Sequence, residues 1–170
     1  MELYEAIRTR RSIRSYQDKP VPENVLRRIL EAGRLAPSAR NRQEWRYIVV
    51  RDPETRARLS VAAKGQPFVA EAPVVLVACA LESGYVMTCG QPSHLIDVAI
   101  SLEHIALAAT AEGLGTCWVG AFFQDQVKEI LGIPDEIEVV ELMPLGFPAE
   151  TPTARNRKAF DEAFVFDRWA

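Results

Sequence analysis

The sequence predicts a single α+β domain, and three observations point there. Helix-like and strand-like segments interleave along all 170 residues, Val74 to Ala80 is an almost unbroken apolar run, and Pro92 to Glu112 reads as a long helix with few charges. A strand as apolar as VVLVACA needs cover on both faces, which places it at the centre of a sheet. With 48% apolar residues the chain can bury a core of ordinary size without disulfides or metals. Neither a repeat nor a low-complexity or linker-like stretch divides it, so residues 1–170 read as one domain.

Taken in order, Leu3 and Ile7 stand four apart and open a short helix, after which Arg8 to Tyr16 is extended or irregular. From Pro22 to Ala36 the apolar Val25, Leu26, Ile29 and Leu30 share one stripe. Pro22 suits a first helical turn because its missing N–H is not needed there. Pro37 stops that helix. Trp45 to Val50, rich in β-branched and aromatic residues, predicts a strand, and Asp52-Pro53 turns the chain into a short helix that ends near Ala63. The helix from Pro92 to Glu112 ends at Gly113 and is apolar on more than one face, so it must be buried. Thr116 to Gly120 predicts a short strand, Gln124 to Leu131 a helix closed by Gly132, and Glu138 to Leu145 a last long strand. Beyond Pro148 the tail to Ala170 is mixed. It carries Phe160, Phe164, Phe166 and Trp169, aromatics that would be costly in water and call for a cover such as a second subunit.

A formal net charge of -3 argues against a nucleic-acid binder, whose hold on phosphates needs a broad basic face. Cys79, Cys89 and Cys117 are odd in number and form no C-x-x-C pair. They suggest neither a disulfide framework nor a zinc ribbon and fit a reducing cytoplasm. The start of the chain carries Glu2 and Glu5 without an apolar signal core, and the apolar stretches read as too short or too interrupted to span a bilayer. The expectation is a cytoplasmic protein with neither nucleic acid nor membrane among its partners. His94 and His104 fall on different faces of one helix, so no shared metal site is expected.

Arg8, Arg10, Arg11 and Arg14 put four guanidinium groups within seven positions, beside the hydroxyls of Ser12 and Ser15. A phosphate ester wants this combination, since guanidinium donates paired hydrogen bonds to its oxygens. A second basic cluster, Arg155, Arg157 and Lys158, lies far downstream after Gly146-Phe147-Pro148. If the two converge, an acidic protein has built one anion pocket; if they do not, each is a charged loop. Pro37 to Trp45 packs amide and hydroxyl side chains between a helix end and a strand, where amides can match the edge of a heteroaromatic ring or serve as ordinary caps. Gly113-Leu114-Gly115 superficially suggests a dinucleotide fingerprint, but Trp118 occupies the third glycine position and the segment follows a helix. Gly120 and Ala121 offer small residues whose backbone N–H groups a flat ligand can approach. No nucleophile elbow, Walker loop or Ser-His-Asp order is present, so an enzyme here would lean on a cofactor.

Five segments in succession carry a resemblance. They are Arg10 to Tyr16 (RRSIRSY), Ala36-Pro37-Ser38 with Asn41-x-Gln43-x-Trp45, Glu71 to Val75 (EAPVV), Gly113 to Phe122 (GLGTCWVGAF), and Leu145 to Pro148 (LGFP) followed by Arg157-Lys158. In this order, from about residue 3 to residue 168, the chain resembles the nitroreductase family of FMN-dependent NAD(P)H oxidoreductases. The resemblance implies a nitroreductase-like α+β fold, with a central mixed, mainly antiparallel sheet flanked by helices, in an intertwined homodimer. It implies that Arg10, Arg11, Ser12, Arg155 and Arg157 hold the flavin phosphate and ribityl chain, and that Arg14 lies by flavin N1 and O2. Pro37, Ser38, Ala39 and Asn41 would reach the flavin from the other subunit. The backbone of Val119, Gly120 and Ala121 would meet the ring near N5, and Gln66 would serve its pyrimidine edge. No side chain would be catalytic and no metal would be held.

The implied activity is hydride transfer from NADH or NADPH, through flavin N5, to a small acceptor such as a nitroaromatic, quinone or enone, by a ping-pong mechanism. Three departures stand out: Glu44 occupies the place where proline is usual before the tryptophan, Phe68 or a neighbour falls where some members carry lysine, and the chain is short. Only Leu81 to Gln91 leaves room for the inserted helix that shapes the substrate pocket of larger relatives. The rival readings are a flavin carrier or redox sensor without turnover, and a non-flavin α+β binding domain whose arginines are mere surface charge.

Overall fold

The structure, a computed structural model, describes residues 1–169; Ala170, the end of the expected tail, lies outside the described residues. The elements follow in the order α1 (Leu3–Thr9), α2 (Glu23–Arg34), β1 (Trp45–Val50), α3 (Pro53–Ala62), α4 (Pro67–Glu71), β2 (Val74–Ala80), α5 (Ser93–Ala111), β3 (Gly115–Thr116), α6 (Gln124–Leu131), β4 (Glu138–Gly146) and α7 (Phe160–Ala163). Local signals account for most boundaries. The Asp52 carboxylate accepts from the Thr55 N–H at 2.7 Å and caps α3, with Pro53 in the first turn. Gly132 closes α6 with a φ of 64°, a left-handed value that a side chain resists.

The four strands lie in the order β1-β2-β4-β3, each neighbouring pair antiparallel. A single parallel bridge, Ser12 to Thr116, adds the arginine segment to the edge. β2 is buried along its whole length, as an apolar strand at the sheet centre must be. One face of the sheet, with Val75, Val77 and Leu142, packs on Leu59, Phe68, Val69 and Val127 from α3, α4 and α6. The other, with Leu76, Ala78 and Met143, packs on Leu26 and Ile29 of α2 and Val98, Leu102 and Ile105 of α5. The architecture is therefore three layers, α/β/α, with the mainly antiparallel sheet in the middle.

Four points correct or complete the sequence reading. Thr116 to Gly120 does not form a continuous strand: β3 stops at Thr116, because the next position on β4 is Pro144, which has no N–H to give to a ladder. The Cys117 N–H still donates to the Pro144 carbonyl at 3.3 Å, and bridge pairing resumes at Val119, opposite Leu142. α4 and α7 are short helices that the periodicity did not reveal, each too brief to show a stripe. Leu81 to Gln91 holds no inserted helix but a loop closed by a Val86–Pro92 bridge. Finally, α5 is long and apolar enough, by length and composition, to cross a bilayer, contrary to the expectation that no stretch is. Its packing against β2 and α2 explains that apolarity.

Candidate functional site

The arginine segment is fixed by the sheet rather than by a helix. The Ile13 N–H donates to the Thr116 carbonyl at 2.9 Å, and the buried Tyr16 hydroxyl donates to the Ile13 carbonyl at 2.9 Å, with the Pro144 carbonyl at 3.3 Å. Burial pushes the Tyr16 hydroxyl far above its ordinary range, so it stays a neutral donor. Tyr16 then pairs antiparallel with Pro148, and the Ala149 N–H donates to the Ser15 carbonyl at 2.9 Å. Chain leaving β4 must therefore run back beside the start of the protein.

This pairing brings the two basic clusters together. Arg10, Arg11, Ser12 and Arg14 line one cavity of about 140 Å³ with Arg155 and Arg157, and Pro152 and Thr153 complete its wall. Lys158 is not in that wall. Arg10 meets Glu103 of α5 at 3.6 Å, a long and partly solvated pair. Among the described residues, no carboxylate forms an ion pair with Arg11, Arg14, Arg155 or Arg157. Four uncompensated guanidiniums in an acidic chain are the donor set of a dianionic oxyanion group, and the cavity has room for a phosphoryl group but not for a three-ring heterocycle. The residues present thus fit the phosphate end of a nucleotide-like ligand.

The ring-facing candidates lie elsewhere. Gln66 stands before α4 and its amide donates to the carbonyls of Ala63 at 2.9 Å and Ala121 at 3.3 Å, so it ties the Gly120–Ala121 turn to the core. Gly120 and Ala121 are exposed and Val119 is buried beneath them. The Arg14 guanidinium carbon is 6.0 Å from the centre of the Phe68 ring.

Pro37, Ser38, Ala39 and Asn41 do not join the basic cavity of their own chain. Ala39–Asn41 is one 3-10 turn in which Arg40 and Asn41 take φ values of 52° and 55°, and Gln43 follows at 53°. Three left-handed side-chain residues in four positions are strained and must be held by their surroundings. Two acceptors hold them: the Asp97 carboxylate takes the Ala39 N–H at 3.0 Å, and the Ser38 hydroxyl takes the Gln43 N–H at 3.0 Å. Asp97 sits in the first turns of α5, whereas Thr110 near its end lines a cavity that shares Arg11 and Pro152 with the basic one. At the usual rise per residue these two points on α5 are roughly 20 Å apart.

The same corner explains Glu44. Its carboxylate contacts Arg42, which also pairs with Glu82, and the Arg42 guanidinium holds it below the usual carboxylate range. The guanidiniums of Arg40 and Arg42 lie over the Tyr85 ring, at 5.3 and 4.9 Å, so the loop from 81 to 91 is packed onto the turn. His94 contacts Glu138 at 3.0 Å and His104 the Ala32 carbonyl at 3.3 Å, two separate structural roles.

Sequence reasoning missed two acids. Asp97 gave one signal, an acid inside an apolar helix. Glu141 gave another, the lone charge within Val139 to Leu145; it lies against Gly120, with one oxygen buried and without a hydrogen-bond partner.

Comparison with known proteins identifies the family. The Nitroreductase family is matched over residues 7–83 and 60–147. An NADH dehydrogenase of Thermus thermophilus is 39% identical, over 92% of this chain and 92% of its own. An FMN reductase [NAD(P)H] of Bacillus subtilis is 34% identical, over 92% of this chain and 70% of its own. The solved structure of the NADPH:FMN oxidoreductase from Vibrio harveyi complexed with NAD+ superposes with a TM-score of 0.90 at 27% identity, covering 99% of this chain and 78% of that one. With a family match across most of its length and relatives this similar, the chain belongs to the nitroreductase family.

Proposed function

We propose that the protein is an FMN-dependent oxidoreductase that takes electrons from NADH or NADPH and delivers them to a small acceptor such as a nitroaromatic, quinone or enone. The observation that carries this reading is the convergence of Arg10, Arg11, Ser12 and Arg14 with Arg155 and Arg157 on one cavity of phosphoryl size. Relatives whose names specify FMN and NAD(P)H support the choice of ligand.

In this reading the basic cavity binds the phosphate and the start of the ribityl chain. FMN, when bound, supplies reversible hydride chemistry at N5, which this chain has no side chain to replace. Arg14 would offer a cation to the N1 and O2 side of the ring, where it would favour the electron-rich form. The Gly120 and Ala121 backbone, tied to the core by Gln66, would offer N–H groups near N5 and keep the ring oriented. Donor and acceptor would then use the site in turn, a ping-pong order.

The site would be completed by a second copy. Pro37, Ser38, Ala39 and Asn41 do not line the basic cavity of their own chain, and in this reading they would serve the cavity of the partner. The tail supports a homodimer as well, because Phe160, Phe164, Phe166 and Trp169 are 62%, 59%, 77% and 93% exposed on one chain.

The test is a visible spectrum followed by anaerobic mixing. Purified protein should show flavin bands, lose them on addition of NADH or NADPH, and regain them when a quinone or nitroaromatic is added. Protein that is colourless, and stays so after incubation with FMN, contradicts the proposal.

A further inference from the structure

Glu141 stands on the sheet side of the Gly120–Ala121 turn, beside a register shift in the ladder. Between Ala78 and Cys79 the register of β2 against β4 shifts: Ala78 faces Glu141, but Cys79 faces Val139, leaving Val140 as the extra residue of a bulge. Bulges re-aim side chains, and they gather beside active sites. Continuing the Val119–Leu142 bridge by one position sets Gly120 opposite Glu141. Both carboxylate oxygens then stand 3.7 and 3.9 Å from the point where a Gly120 side chain would begin. The acid thus fills the space the glycine leaves, directly behind its backbone.

We propose that Glu141 is a positioning residue of the redox site: the charge on its carboxyl, felt through the Gly120–Ala121 turn, tunes how readily a ring held by that turn accepts electrons. This deepens the flavin reading above and rests on it. A carboxylate behind the turn repels incoming electron density, and a neutral carboxylic acid does not. Arrival of an electron pair therefore raises the affinity of Glu141 for a proton, which comes from solvent and returns to it when the electrons leave.

The surroundings let this group titrate. Burial pushes the Glu141 carboxyl up to about 7, with a backbone hydrogen bond at Val119 pulling the other way. Across the ladder stands Ala78, which has no charge, and the nearest titratable neighbour along the facing segment is Cys117. Burial raises that thiol too, while Arg14 lowers it and Glu141 and Glu150 raise it further. Among the described residues, Glu141 forms no ion pair that would lock it ionised.

The experiment is a spectroelectrochemical titration of the FMN-loaded protein and its Glu141→Gln variant, across a pH range that brackets 7. The wild type should show a midpoint potential that falls more steeply with pH around 7 than on either side, and the variant should lose that extra slope and stay higher at alkaline pH. Carbon NMR of glutamate-labelled wild type needs no variant. In the flavin-free protein one carboxyl should titrate near 7, and in the loaded protein its titration should move upward on reduction. Identical potential profiles in the two proteins, or a carboxyl that titrates alike in both redox states, overturn the inference and leave the flavin reading intact. A chain that takes up no FMN overturns both.

Discussion

The basic cavity and the Ser38–Asn41 turn are both polar and both built on irregular chain, yet the fold treats them in opposite ways. The cavity closes within one molecule, because the Tyr16–Pro148 bridge lays residue 155 beside residue 10 although they are far apart in sequence. The turn is pinned by Asp97 to the opposite end of α5. A sheet edge can bring distant segments side by side, whereas a rigid 19-residue helix keeps its two ends apart. In the dimer reading one ligand meets both regions when a second copy turns its helix end toward the first copy's cavity.

The largest effect that would break or confirm this comparison is expected from removing the tail after Ala159. Phe160, Phe164, Phe166 and Trp169 are lost, each worth about 1.5–3 kcal/mol if buried in an interface. Sedimentation should show the dimer weakened by roughly 100-fold or more, with flavin lost in parallel. A truncated chain that remains dimeric and yellow would detach the tail from the interface.

Next comes Gly115→Ala, which strikes the cavity alone. A Cβ there would overlap Ile13, the residue whose N–H ties the arginine segment to Thr116. Overpacking of this kind costs about 1–3 kcal/mol, so urea unfolding should shift and FMN affinity should fall with it. Unchanged affinity would mean that the arginines do not depend on the edge bridge.

Asp97→Ala should be milder and should strike the turn alone. Loss of the acceptor for the Ala39 N–H is worth about 1 kcal/mol, so FMN binding should weaken by a factor of about 5 to 10 without change in dimerisation, and Asp97→Asn should restore most of it. Equal losses in the Ala and Asn variants would remove the acceptor from the argument.

A separate effect, confined to one titrating group, is on stability against pH. In the folded chain Glu141 holds its proton up to about 7, against an ordinary value of 4.5. The folded state therefore binds more protons than the unfolded one between those values, and the contribution is full below 4.5 and lost as pH rises through 7. The urea midpoint of Glu141→Gln should lack this decline, and a decline kept by the variant would assign it to another group.

Much of this comparison was legible in the residues. VVLVACA predicted the central strand to the residue, and Asp52-Pro53 and Gly132 fixed helix ends through local caps that need no tertiary partner. The two arginine clusters were visible as donors, but not their meeting, which depends on pairing between Tyr16 and Pro148 and leaves no local pattern. The interruption of β3 was readable in principle from Pro144, once its strand partner was known. Glu141 was visible only as a lone charge in an apolar run, because its placement depends on a bulge in the ladder. The strained turn at Arg40, Asn41 and Gln43 left no trace, since none of these residue types demands a positive φ.

The central claim is that early and late arginines meet on one phosphate, and comparing the binding of FMN with that of riboflavin tests it most directly. Each charge-assisted hydrogen bond to phosphate is worth about 1.5–3 kcal/mol, so wild-type protein should bind FMN at least about 100-fold more tightly than riboflavin. In Arg11→Ala/Arg157→Ala that preference should nearly vanish, with riboflavin affinity unchanged. Equal affinities for the two ligands in the wild type, or a preference that survives loss of both arginines, would contradict the account.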